Sequence, residues 1–128
     1  MIELDSFTRA YVEAALWSSV DEKGDPLDDH FGPDDIEADT LDKMATDCKE
    51  FQRENADWLS QAKYPNKQTH TDLEMAGHDF WLTRNSHGAG YWDGDLPDFL
   101  GGFLTEAAKA HGEFNLYVAD GKVHGEGT

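Results

Sequence analysis

The sequence predicts an α+β domain: two N-terminal helices, a central β-hairpin, a third helix and a C-terminal β-hairpin, the strands forming one small antiparallel sheet. Three observations lead there. Apolar residues recur at helical spacing near the N-terminus, over residues 6–18 and again over 39–61. Two later stretches, DFWLTRN-SHGAG-YWD and FNLYVADGKVHG, set aromatic and β-branched residues on either side of a glycine-containing turn. No internal repeat divides the 128 residues, so a single domain over 1–128 accounts for the chain.

Each element has its own local argument. In the first helix Phe7, Tyr11, Ala14 or Ala15 and Trp17 or Ser18 share a face, with Asp5 or Ser6 placed as N-cap. A long loop follows, punctuated by Gly24, Pro26, Gly32 and Pro33. The second helix is expected from about Asp39 to Gln61, with Leu41, Met44, Ala45, Cys48, Phe51, Asn55 and Leu59 along one stripe. These two helices are expected to pair as an antiparallel αα-hairpin. Pro65 ends that section, and YPNKQTHTD reads as a linker. TDLE at 71–74 has the form of a capping box, enough for a short helical turn before Gly77.

Beyond that turn, DFWLTRN has strand composition, with Phe80 and Leu82 on one face and Trp81 and Thr83 on the other. SHGAG then turns and YWD returns as the paired strand. In this arrangement Trp92 joins Phe80 and Leu82 in the core, and Trp81 is the more exposed tryptophan. The next helix is expected from about Pro97 to Ala110, weakened by Gly101 and Gly102 and stopped at Gly112. Asp120-Gly121 suits a type I′ turn between two short final strands.

The net charge of −17 is the loudest compositional feature. It argues against direct binding to nucleic acid or to an anionic membrane, both of which reward clustered Lys and Arg. It suits attraction to a basic protein. No apolar run approaches the length needed to span a bilayer, and the start carries acids where a signal peptide carries bases. Cys48 is the only cysteine, which excludes an intramolecular disulfide and points to a reducing cytosol. Its helical setting makes it a core filler rather than a nucleophile.

The charge is concentrated. Between residues 21 and 42 the chain holds ten acids, Asp21, Glu22, Asp25, Asp28, Asp29, Asp34, Asp35, Glu37, Asp39 and Asp42, against one base, Lys23. A calcium-binding EF-hand loop starting at Asp21 needs an oxygen ligand third, Gly sixth and Glu twelfth. Lys23, Pro26 and Gly32 occupy those places. The motif fails, leaving a solvated acidic loop or a charged interaction surface.

The second candidate region is GHDFWLTRNSHGAGYWDGD, residues 77–95. His78, Trp81, Arg84, Asn85, His87, Tyr91, Trp92 and Asp93 form its aromatic and polar set. Arg84 is placed to bridge Asp93 or Asp95, or to stack between Trp81 and Trp92 as a cation–π shelf. Ligand types for a metal are present, but no His-x-x-x-His or Cys-x-x-Cys spacing, so no metal is assigned and no cofactor is implied. Ser86 beside His87 lacks the elbow of a nucleophilic serine, and HGAG lacks the strand-to-helix setting of a phosphate loop. A well-made hairpin scaffold, a protein-binding surface and a small-ligand or hydrolytic module all fit this block, and no catalytic residue is assigned.

FTRAYVEAALWSS, DPLDDHFGPDDI, GHDFWLTRNSHGAGYWDGDLP and LTEAAKAHGEFNLYVADGKVHG resemble a family of small acidic proteins of tailed bacteriophages, prophages and plasmids. The resemblance spans nearly the whole chain and is most specific in the GHDFWLTRN-HGAG-WD block. Tyr91 departs from it, standing where such proteins often have Phe, as does the tail after His124. The resemblance implies a mobile-element protein made in an infected bacterial cytoplasm, and it carries no catalytic residues across. Joined to the charge, it leads to the expectation of an acidic protein that binds and inhibits a basic host DNA-binding or defence protein, as a DNA mimic. A phage accessory or assembly protein is the alternative.

Overall fold

The computed structural model describes residues 4–65, 69–86, 89–93 and 95–127. Among them the chain forms helices α1 (Ser6–Ser18), α2 (Ala38–Glu54), α3 (Ala56–Ser60), α4 (Asp72–Arg84) and α5 (Asp98–Ala110). Strands β1 (Phe114–Ala119) and β2 (Lys122–Gly127) pair antiparallel as the one described sheet. Two short 3₁₀ turns, Leu27–Asp29 and Pro33–Asp35, interrupt the acidic loop. No described helix is long and apolar enough to cross a membrane.

The expected central β-hairpin is not formed: its first strand is the second half of α4. Thr71 accepts a hydrogen bond from the Glu74 N–H at 3.1 Å, and Glu74 accepts one from the Thr71 N–H at 2.8 Å. This capping box starts a helix that runs 13 residues, far past one turn. The aromatic and β-branched composition of DFWLTRN favoured a strand, but the surroundings overrode it. Ala76, Gly77, Asp79, Phe80, Trp81, Leu82, Thr83 and Arg84 are all buried, so α4 is packed nearly all round and shows no amphipathic stripe. Without that stripe, periodicity cannot separate helix from strand.

The expected pairing of the first two helices is also corrected, because α1 packs principally on α4. Gly77 is where they touch. A Cβ there would run into the Phe7 carbonyl and press on Ala10, so the missing side chain sets how closely the backbones approach. The expected single helix from 39 to 61 breaks at Asn55, whose side chain donates to the Phe51 carbonyl at 2.9 Å. The same carbonyl also accepts from the Asn55 N–H at 3.0 Å, and the backbone of Asn55 leaves the helical region at φ −119° and ψ 24°, which ends α2.

Between these helices lies an aromatic core. Phe51 stacks on Phe80 at 4.1 Å between centroids, Tyr91 stacks on Phe51 at 6.0 Å, and Tyr11 meets Trp81 edge-on at 5.4 Å. Helix α5 agrees with expectation: Pro97 stands at its N-cap, Leu100, Leu104 and Ala108 face inward, and Gly112 follows its end at φ +77°. The C-terminal hairpin also forms as expected, with Asp120 and Gly121 both at positive φ as a type I′ turn demands. It docks on the body where the Glu37 N–H donates to the Val123 carbonyl at 2.8 Å and the Gly125 N–H to the Thr40 hydroxyl at 3.0 Å.

Candidate functional site

The aromatic and polar block is dismantled by its helical conformation. Trp81 is 1% exposed and its indole N–H donates to the Ser18 hydroxyl at 2.8 Å, whereas Trp92 is 52% exposed. The expected roles of the two tryptophans are reversed. Tyr91 is buried, its hydroxyl donating to the Ala76 carbonyl at 2.6 Å and its N–H to Thr83 Oγ1 at 3.0 Å. Asn85 ties the end of α4 to the sheet: its amide donates to the Trp81 carbonyl at 3.0 Å, and its oxygen accepts from the Phe114 N–H at 2.9 Å. Asp93 stays exposed and close to the Gly90 N–H. His78 faces Glu13 on the outer side of α1, and His87 lies outside the described residues.

Arg84 has neither of its expected partners. Its guanidinium reaches Asp47 Oδ2 at 2.9 Å and the Tyr11 hydroxyl at 3.0 Å, and it donates to the carbonyls of Gly112 at 2.7 Å and His111 at 2.9 Å. It lies over the rings of Phe80 and Phe114 rather than between tryptophans. Asp47 takes a second cation, Lys43, at 2.8 Å. This buried node clamps α4 to α1, α2 and the entry of β1. A charge this deep is tolerated because four of its five N–H donors meet acceptors, one of them the Asp47 side chain. Its work is structural.

Asp79, by residue type one of the possible metal ligands of this block, is a second buried acid. Tyr64 donates its hydroxyl to Asp79 Oδ2 at 2.8 Å, and burial, reinforced by the negative charges of Asp93 and Asp95, pushes this carboxyl up to about 7. The mark to look for was an Asp directly before FWL, a place where an acid must find a partner. Burial likewise raises the Cys48 thiol, which suits its role as core filler.

The acidic segment keeps its chemistry at the surface. Glu22, Asp28, Asp29, Asp34, Asp39 and Asp42 are exposed, and no described Lys or Arg lies within ion-pair distance of any of them. The other four serve the local backbone or a neighbour. Asp21 accepts from the N–H groups of Lys23 and Asp25, Asp35 from Gly32, and Glu37 from Asp39 and Thr40 as the N-cap of α2. Those N–H groups, Asp39 first, hold the Glu37 carboxyl below its usual range. Asp25 stands 3.7 Å from His30.

At the start of this segment lies an open groove of about 690 Å³. Val20–Lys23, His30 and Phe31 form one wall, and residues 116–120 of β1 and its turn form the other. Its lining is mainly apolar, with Asp21, Glu22 and Asp120 on the rim and Tyr117 45% exposed. An exposed aromatic beside unpaired charge is the composition of a protein-binding patch. No protein-family model, no curated protein and no solved structure matches the chain.

Proposed function

We propose that the protein binds a basic protein through the segment from Asp21 to Asp42. In this reading the partner is a host DNA-binding or defence protein, met in an infected bacterial cytoplasm and inhibited by occupation of its nucleic-acid groove. The observation that carries it is the set of six exposed carboxylates, one of which, Glu22, lines the groove. They repel one another, and among the described residues none of them caps a helix by a side-chain hydrogen bond or joins an ion pair. The resemblance to phage and plasmid proteins supplies the class of partner, and the net charge of −17 supplies long-range attraction. Trp81, Arg84 and Tyr91 are committed to the core, so no observation favours a hydrolytic module at 77–95.

The test is retention of host proteins on the immobilised full chain, with rising salt and with duplex DNA as competitor. Basic nucleic-acid-binding proteins should be retained at low salt, released at high salt and displaced by the DNA. The Asp28→Asn, Asp29→Asn, Asp34→Asn, Asp42→Asn quadruple variant should lose that retention while folding normally. Retention unchanged in the quadruple variant would overturn the reading.

A further inference from the structure

Outside the acidic segment, α1, α4 and the residue before the α4 cap bring together one carboxylate and two imidazoles. Glu13 projects from α1, His78 from α4, and His70 from the residue just before the Thr71 cap. One ligand atom from each lies within 4.8 Å of the other two. His78 Nε2 is 3.6 Å from Glu13 Oε2, and the rings of His70 and His78 meet at 60° with centroids 5.1 Å apart. A four-coordinate zinc ion with bonds of about 2.05 Å holds its ligand atoms roughly 3.3 Å apart. The His78–Glu13 separation is already near that edge. At 3.6 Å it is too long for a hydrogen bond.

His78 Nε2 is shielded from solvent and has no hydrogen-bond partner, an orphan that folding ordinarily avoids. The fold gives it no replacement. Gly77, one residue before it, packs against Phe7 and Ala10, so the α4 backbone that holds His78 sits close to α1, which holds Glu13. The capping box of Thr71 and Glu74 anchors the chain beside His70.

We infer that Glu13, His70 and His78 form a binding site for a zinc-like divalent transition-metal ion, completed by a fourth ligand from solvent. Two imidazoles and one carboxylate favour zinc, cobalt or nickel over the calcium and magnesium that carboxylates alone attract. This site is separate from the acidic segment, so it stands or falls independently of the proposed partner.

The experiment titrates the untagged full chain with Zn²⁺ by calorimetry in a large excess of Mg²⁺, which saturates the exposed carboxylates. Co²⁺ is then used as an optical probe of coordination. One Zn²⁺ per chain should bind, raise the melting temperature, and be mirrored by the visible spectrum of four-coordinate Co²⁺. His70→Ala and Glu13→Gln, checked for fold by circular dichroism, should each weaken binding by at least about tenfold. His30→Ala should leave it unchanged. The assignment is overturned by no binding above the Mg²⁺ background, by binding that only His30→Ala weakens, or by a loss confined to one of the two ligand variants.

Discussion

The segments 21–42 and 77–95 are both dense in polar and charged residues, and they use that density in opposite ways. In the first, six carboxylates reach water with no described cation beside them. In the second, Trp81, Arg84, Asn85 and Tyr91 turn inward and hold α4 against its neighbours. The 77–95 segment, richer in side chains that do chemistry, is the scaffold, and the plainer segment is the surface. Reactive side-chain types signal a site only where they are left unsatisfied. Arg84 meets four acceptors, whereas the Asp28 and Asp34 carboxylates meet no donor among the described residues.

The contrast breaks first at the tryptophans. Trp81→Ala removes a fully buried indole and its hydrogen bond to the Ser18 hydroxyl, so unfolding stability should fall by about 3–5 kcal/mol. Trp92→Ala should change it by less than about 1 kcal/mol, as for other surface positions. Chemical denaturation of the two variants side by side decides it; equal losses would return the hairpin arrangement to contention.

Arg84→Met should also cost about 3–5 kcal/mol, because it leaves Asp47 buried with only Lys43. Adding Asp47→Leu should restore part of the loss, which a double-mutant cycle measures. A surface role for Arg84 would instead leave stability nearly untouched.

Asp79 sharpens the same comparison through pH. Its folded pKa of about 7 lies above the roughly 3.9 of an unfolded Asp, so the folded state binds more protons between those values. Its contribution is therefore greatest below about pH 4 and is lost as pH rises through 7, by up to about 4 kcal/mol. Asp79→Asn should remove that slope and stabilise the protein at neutral pH relative to the parent. Melting curves of both chains across this range check the sign. A parent and variant that run parallel would mean that Asp79 is ionised throughout.

The smallest effects belong to caps and free acids. Thr71→Ala removes the cap of α4 and should cost about 1 kcal/mol. Asp28→Asn, Asp29→Asn, Asp34→Asn and Asp42→Asn should each stay within about 0.5 kcal/mol and lean toward stabilisation, since they relieve repulsion. Asp35 is left out of that set because it caps the Gly32 N–H at 2.8 Å. The same quartet should slow association with a basic partner and flatten its salt dependence, which stopped-flow mixing at several ionic strengths measures.

Local chemistry settled much of this protein from its sequence. Asp5 accepts from the Thr8 N–H and starts α1, Pro97 and Gly112 bracket α5, and Asp120-Gly121 turns the final hairpin in the expected hand. The excess of acids between residues 21 and 42 was equally plain, as was its exposure. These features act within about four residues, so the residues themselves contain the answer. The tertiary structure alone decided that DFWLTRN is helical, that Trp81 and not Trp92 is core, and that Arg84 pairs with Asp47, 37 positions away. It alone brought Glu13 to His78, across a contact that Gly77 allows. The reason is burial on every side. A segment wrapped by neighbours loses the alternation that tells helix from strand, and its conformation and partners are then set by whatever packs around it.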